Sequence, residues 1–229
     1  MCTLTWRASA EADGYDLFFN RDERHVRAEE RAPVEQRTED GVRYVAPADG
    51  DHGGTWLMLN EHGVTVCLLN YYPRGVVETG LESRGRLPLM CAECVRAEDV
   101  VRVMHAVELK RFAPFHLVAV DAAGGSVWLR WDGQAMHEAE APEFLTSSSF
   151  EPERVQAARA ARWAAWDERT AEGLAAFQRQ YDPAAGAESV LMRRADACTR
   201  SVCAVRVRTG VRELDYESMT GGERGVWRL

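Results

Sequence analysis

The chain has 229 residues, 46% of them hydrophobic and 28% charged, which is enough apolar surface for a folded core and excludes a disordered chain. Its net charge of −8 disfavours binding to a phosphate backbone or to an anionic membrane surface, so no nucleic-acid partner is expected. Because no low-complexity linker divides the sequence, one domain over residues 1–229 is predicted.

The N-terminal segment Met1–Arg7 lacks the basic stretch and apolar run of a secretory signal. No stretch approaches the roughly 20 apolar residues that span a bilayer, so a cytoplasmic protein without stable membrane insertion is expected. The six cysteines are then expected to be reduced thiols. Cys91 and Cys94 form a single CxxC, and the histidines show no ligand spacing, so neither a metal nor another cofactor is predicted.

The first seventy residues read as extended segments separated by turns. Cys2–Arg7 and Tyr15–Asn20 predict two adjacent strands, and the second ends abruptly in charged residues. The polar, proline-containing stretch from Glu29 to Pro47 predicts no element. Thr55–Asn60 and Val64–Asn70 flank a short turn that contains glycine, which predicts a hairpin.

From Ala97 the apolar spacing changes to three and four residues, which predicts an amphipathic helix that ends at Pro114. A second helix is predicted from Pro152 to Gln180, where Ala, Arg and Glu dominate. The remaining predicted strands are Phe115–Asp121, Ser126–Trp131, Glu143–Ser148, Ser189–Arg194, Arg200–Arg208 and Arg212–Tyr216. The predicted order is strands, helix, strands, helix, strands. It indicates a layered α+β fold rather than alternating βαβ units.

Cys2 is the first candidate for chemistry because of its position in the chain. An initiator methionine is usually removed when the next residue is small, and this would leave a cysteine with a free α-amino group. A thiolate is a strong nucleophile, and an α-amine with a pKa of about 7.7–8 can accept its proton near neutral pH. A cysteine in second place is also compatible with chance.

The segment Asn20–Glu23 is the second candidate, since an apolar strand ends there in four consecutive polar residues. An arginine close to Cys2 would favour the thiolate, and a carboxylate would hold the α-amino group by a charge-assisted hydrogen bond. A solvated turn would show the same composition. Both interpretations stay open from these residues alone.

The ordered set Met1-Cys2-Thr3-Leu4, Asn20-Arg21-Asp22-Glu23, Gly53-Gly54-Thr55-Trp56 and Leu69-Asn70-Tyr71 resembles the NRDE family, also called the transport and Golgi organisation type-two family. That family resembles N-terminal nucleophile (Ntn) hydrolases, close to the cysteine acylases that cleave penicillin V and conjugated bile salts. The resemblance implies a four-layer αββα sandwich, with two antiparallel sheets between helical layers.

The resemblance also assigns roles to residues. Cys2 corresponds to the nucleophile, Arg21 with Asp22 or Glu23 to the charged pair beside it, and Asn70 to an oxyanion-hole amide. The acylases space their Arg and Asp by three residues, whereas Arg21 and Asp22 are adjacent, so the carboxylate is left open.

Four further residues are expected to bind substrate. Ser147 stands where the acylases have a second oxyanion asparagine, and the loss of one such donor costs on the order of a hundredfold in rate. Arg200 resembles a further acylase arginine, Tyr71 follows Asn70, and Trp56 would line the cleft; a glycine turn leading into a buried tryptophan explains the last equally well.

The expected function is therefore a cysteine amidohydrolase that cleaves a non-peptide carbon–nitrogen bond of a small acyl amide through an acyl-Cys2 intermediate. The alternative is a protein that binds and traffics haem, an acyl-thioester or a lipid on the same scaffold without turnover. It follows from the resemblance, because eukaryotic members of the family are linked to haem handling, membrane-lipid metabolism and secretory organisation. An acyltransferase would share the acyl-enzyme and differ only in the acceptor. Sequence does not indicate an oligomeric state.

Overall fold

The computed structural model describes residues 1–9, 13–73 and 81–229. Its strands in chain order are β1 (Cys2–Ala8), β2 (Gly14–Arg24), β3 (Arg31–Arg37), β4 (Arg43–Ala48), β5 (Leu57–Asn60), β6 (Thr65–Asn70), β7 (Phe115–Val120), β8 (Ser126–Trp131), β9 (Met136–Ala139), β10 (Phe144–Ser147), β11 (Ala197–Arg208), β12 (Val211–Ser218) and β13 (Arg224–Arg228). Its helices are α1 (Leu87–Met90), α2 (Ala97–Ala106), α3 (Pro152–Ala164) and α4 (Ala171–Gln178).

The strands form two antiparallel sheets. The first sheet has six strands in the order β10-β1-β2-β11-β12-β13, and the second has seven in the order β3-β4-β5-β6-β7-β8-β9. Their inner faces share one apolar core, to which the first sheet contributes Leu4 and Phe19 and the second Leu59 and Val118. Side chains alternate between the faces of a strand, so each sheet also has an outer face to cover.

Helices cover both outer faces. Val100 and Met104 of α2 pack with Leu117 and Leu129 of the second sheet, and α1 contacts β5 and β6. On the other side, α3 contacts β10, and α4 contacts β1 and β2 of the first sheet. The order helix, sheet, sheet, helix confirms the expected αββα sandwich.

The predicted hairpin at residues 55–70 is confirmed as β5 and β6, with Leu57 opposite Cys67. Its turn depends on Gly63, which has a φ of +81° and donates a backbone hydrogen bond to Asn60. A side chain is excluded there by strain at this φ and by close contact with Ala122 and Val207. The strands predicted near β1, β2, β7, β8, β10, β11 and β12 are also confirmed.

Several predicted elements are wrong. The polar stretch from Glu29 to Pro47 contains β3 and β4, and β9 and β13 were not predicted. These strands lie at or next to a sheet edge, where one face meets water and the apolar alternation is weak. The helix predicted up to Pro114 ends at Ala106.

The helix predicted over residues 152–180 is two helices. Thr170 caps α4 by accepting a hydrogen bond from the backbone of Gly173, and the Trp166 indole donates to the carbonyl of Gly173. Ser189–Arg194 is not a strand. Its backbone hydrogen bonds go to several different segments, and its pairing with β11 is limited to one isolated β-bridge between Arg193 and Cys198. In the described ranges, no helix is both long and apolar enough to cross a membrane.

Candidate active site

A cavity of about 400 Å³ opens at the start of β1, between the ends of β2 and β6. Its walls include Cys2, Arg21, Glu23, Trp56 and Asn70. Antiparallel pairing explains how distant segments converge there, since residues 2, 21 and 147 are direct register partners on three neighbouring strands. The first sheet therefore brings the predicted nucleophile and the predicted arginine to one place.

Cys2 lies at the first position of β1 and is 9% exposed. Met1 precedes it and binds the backbone of Asp22 twice: the α-ammonium donates to the Asp22 carbonyl at 3.0 Å, and the Asp22 amide donates to the Met1 carbonyl at 2.9 Å. Met1 also lines the cavity. The N-terminus is thus fixed at the mouth of the site.

Burial raises the pKa of the Cys2 thiol to about 11. The Met1 ammonium and Arg21 act against this shift, whereas Asp22 and Glu23 reinforce it. Desolvation outweighs the nearby positive charge because a thiolate loses more hydration than a thiol. While Met1 is in place, the thiol is protonated at neutral pH.

Arg21 forms a fixed, charged wall of the cavity. Its guanidinium donates to Glu30 and to Asp49, each at 2.7 Å, and lies 4.5 Å from the ring centre of Trp56. Burial opposes the charged form, yet Glu30 and the neighbouring acidic groups raise the pKa of Arg21. Sequence reasoning missed Glu30 and Asp49, because no pattern in the sequence links either residue to Arg21.

Adjacent residues of β2 point to opposite faces, and this separates the two candidate carboxylates. Glu23 lines the cavity, with Oε2 3.6 Å from a guanidinium nitrogen of Arg21. The Asp22 carboxylate lies on the other face, where it accepts from Arg159 at 3.0 Å and from Thr199 at 2.7 Å. Asp22 also belongs to the lining of the cavity, but its carboxylate is held by Arg159 and Thr199, and its contacts with Met1 are made by its backbone. Of the two candidates, Glu23 is therefore the one whose carboxylate faces the cavity.

Asn70 ends β6 and lines the cavity, and its amide nitrogen donates to the Tyr72 hydroxyl at 3.1 Å. Tyr71 lies outside this cavity. Its ring contacts His116, with 4.8 Å between centroids, and it lines a separate cavity of about 530 Å³ beside the start of α3. The structure brings Asn70, but not Tyr71, to Cys2.

Ser147 and Arg200 also lie outside the cavity lining. Ser147 is the register partner of Cys2 on β10, but it is fully buried, and its hydroxyl has no hydrogen-bond partner within the described part of the chain. Arg200 donates to the backbone carbonyls of Arg24, His25 and Arg27. It therefore fixes the segment that follows β2 and does not contact Cys2 directly.

The arrangement places a cysteine thiol, an arginine and an asparagine amide around one polar cavity. A substrate carbonyl beside Cys2 would meet the Asn70 amide, and Arg21 would stabilise negative charge on sulfur. Among the described residues, no three His, Cys, Asp or Glu side chains are grouped to hold a metal ion.

The two stacked antiparallel sheets between helical layers have the αββα fold of the Ntn hydrolases. The chain is similar in structure to penicillin V acylase from Agrobacterium tumefaciens, with a TM-score of 0.58 and 15% identity, over 100% of this chain and 86% of that one. It is also similar to a mutant of conjugated bile acid hydrolase from Clostridium perfringens, with a TM-score of 0.59 and 12% identity, over 100% and 92% of the two chains. The Caenorhabditis elegans ortholog of N-acylethanolamine-hydrolyzing acid amidase gives a TM-score of 0.63 at 10% identity, with full coverage of both chains.

The model of the Transport and Golgi organisation 2 family matches residues 1–172, so the chain belongs to that family. A sequence comparison with curated proteins found no significant match. The family match covers the strands that carry Cys2, Arg21 and Asn70. The structural matches have low identity and establish the fold alone.

Proposed function

We propose that this protein is an N-terminal cysteine amidohydrolase that cleaves a carbon–nitrogen bond of a small acyl amide. The observation that carries the proposal is the position of Cys2, which directly follows Met1, begins strand β1 and lines the cavity. The structurally similar proteins support it, because they are named as an acylase, a hydrolase and an amidase.

Removal of Met1 is the activating step in this proposal. It places the α-amine on Cys2 itself, where the neutral amine can accept the thiol proton. It also vacates the part of the cavity that Met1 lines and frees the Asp22 carbonyl that Met1 now occupies. An ammonium closer to sulfur lowers the pKa of the thiol below the value of about 11 that burial produces with Met1 attached.

The reaction then proceeds in two steps. The Cys2 sulfur attacks the acyl carbon, its proton passes to the α-amine, and the Asn70 amide stabilises the oxyanion. The carbon–nitrogen bond breaks, the proton leaves with the amine, and a thioester remains on Cys2. Water attacks the thioester, which releases the carboxylic acid and restores the thiol.

The test combines intact mass with a panel of acyl amides. We expect the purified protein to lack Met1, to form a covalent adduct one acyl group heavier, and to release the amine. Cys2→Ala should abolish turnover, whereas Cys94→Ala should leave it unchanged, because Cys94 lies in the core between the second sheet and its helices. Hydrolysis at the wild-type rate by Cys2→Ala would refute the proposal.

A second candidate function is binding of haem or an acyl-thioester without turnover. The observation that favours the absence of turnover is that burial raises the pKa of the Cys2 thiol to about 11 in the chain that retains Met1, because the thiol form is a poor nucleophile. Three results together would support this candidate. The purified protein would retain Met1, it would not turn over any amide of the panel, and added haem would show an absorption shift that is lost in Cys2→Ala. Amide hydrolysis without a haem shift would reject it.

A further inference from the structure

A buried arginine of helix α3 packs against the outer face of the first sheet, on the side opposite the Cys2 cavity. Arg159 belongs to α3, and both its side chain and that of Asp22 are 0% exposed. Its guanidinium donates to Thr3 at 2.8 Å, to Asp22 at 3.0 Å and to the carbonyl of Ala187 at 3.0 Å. A fourth contact, to Thr146, measures 3.4 Å.

The partners of Arg159 occupy a particular set of positions. Thr3 follows Cys2 on β1, Asp22 follows Arg21 on β2, and Thr146 precedes Ser147 on β10. Because neighbouring side chains of a strand point to opposite faces, a group that holds these three residues from behind fixes the strands whose front faces form the site.

Two more hydrogen bonds connect the partners of Arg159 to Cys2. The Thr146 hydroxyl donates to the backbone carbonyl of Cys2 at 3.0 Å, and the Thr3 and Thr146 hydroxyls lie 3.0 Å apart. Arg159 thus connects to the Cys2 carbonyl through the Thr146 hydroxyl, and to the strand that carries Arg21 through the Asp22 carboxylate.

We propose that Arg159 is a positioning residue for Cys2, acting through Thr3, Thr146 and Asp22 to set the sulfur against Arg21 and Asn70. The inference rests on the proposed function, in which small displacements of a nucleophile are costly. A planar guanidinium with five donors serves several acceptors from fixed directions, whereas a lysine ammonium presents one nitrogen.

The variant for the test is Arg159→Lys, which keeps the buried positive charge near Asp22. The matched control is Arg162→Lys, because Arg162 lies on the same helix and pairs with Asp182 at 2.9 Å at the surface. The first readout is the rate at which Cys2 reacts with iodoacetamide as a function of pH, mapped by peptide analysis. This readout needs no turnover.

We expect Arg159→Lys to fold, to shift the pH profile of Cys2 alkylation, and to lower kcat by about tenfold or more while KM changes less than about twofold. Arg162→Lys should match the wild type in both readouts. If Arg159→Lys destabilises the fold, Thr146→Val, which removes the hydroxyl that binds the Cys2 carbonyl, should produce the same shift in alkylation.

The inference would be overturned if folded Arg159→Lys had the alkylation profile of the wild type. If the lysine variant fails to fold, the same result in Thr146→Val would overturn it. An equal change in Arg162→Lys would also overturn it. The failure of the proposed function is recognised separately: the wild type would hydrolyse no amide. In that case the alkylation profiles still decide whether Arg159 positions the Cys2 sulfur.

Discussion

The two helical layers contact their sheets through different chemistry. Between α2 and the second sheet the contact is mainly apolar, with Val100 and Met104 against Leu117 and Leu129. One buried hydrogen bond, from the Ala97 amide to the Asp121 carboxylate at 2.9 Å, lies at the start of α2. Between α3 and the first sheet, the end nearest Cys2 is a hydrogen-bonded network centred on the buried pair of Arg159 and Asp22.

The same α3–α4 layer becomes apolar at a distance from the site, where Phe144 stacks on Trp163 with 5.5 Å between ring centroids and Phe177 meets both. The hydrophobic effect is non-directional, whereas a fork of hydrogen bonds fixes directions. The comparison shows that the buried ion pair lies at the end of the α3–α4 layer nearest Cys2.

The largest expected effect comes from breaking the buried ion pair. Arg159→Met leaves the Asp22 carboxylate buried without its cation, and removing one partner of such a pair costs about 3–5 kcal/mol of unfolding free energy. Urea denaturation would measure it. The double variant Arg159→Met with Asp22→Asn should recover most of the loss, because no charge then remains unpaired; an equally unstable double variant would contradict this explanation.

On the apolar side, Met104→Ala removes a side chain that is 0% exposed between α2 and the second sheet. The cavity and the lost burial should cost about 2–5 kcal/mol. Because no residue of α2 lines the Cys2 cavity, the alkylation rate of Cys2 in the folded variant should be unchanged. A changed rate of Cys2 alkylation would show that both helical layers position the site, and the two layers would then not differ in this respect.

A buried polar group outside both helical layers provides the next test. Burial, with a smaller contribution from Arg130, lowers the pKa of His116 to about 4 from an ordinary value of 6.5, and His116 accepts a hydrogen bond from the Trp128 indole at 3.1 Å. The folded state prefers the neutral ring, so its contribution to stability is present above pH 6.5 and is lost as the pH falls toward 4.

Between pH 7 and pH 5, the His116 contribution should fall by about 2 kcal/mol. Urea denaturation at both pH values would measure the loss, with His116→Gln as the control, because glutamine cannot take up a proton in this range. If the wild type and the glutamine variant lose equal stability, another group is responsible.

The smallest expected effects come from helix caps, which should not differ between the layers. Thr170 accepts from the Gly173 amide at 3.0 Å at the start of α4, and Asp99 accepts from the Arg96 amide at 2.8 Å at the start of α2. Thr170→Ala and Asp99→Ala should each cost about 1 kcal/mol, measured as a shift in the unfolding transition. A large difference between them would show that the layers differ in local helix stability as well as in packing.

The prediction of the site from sequence was strongest where strand pairing alone brings residues together. Cys2 and Arg21 lie on consecutive antiparallel strands, so their proximity followed once the strands were recognised. Alternation could also have separated Asp22 from Glu23, since adjacent strand residues face opposite sides. The contacts of Glu30 and Asp49 with Arg21 could not be predicted. They depend on the path of the segment that contains β3 and β4, and the sequence did not predict these strands.

The sequence by itself determined the layered fold, the central strands and the cysteine that begins the first of them, because apolar alternation and chain position are local properties. Only the tertiary structure decided which polar residues share a face and which meet across layers. Arg159 looks like any surface arginine in a helix rich in alanine and arginine, and its burial arises from the sheet packed against it. Contacts between distant segments depend on how the layers stack, and that information is not contained in any local pattern.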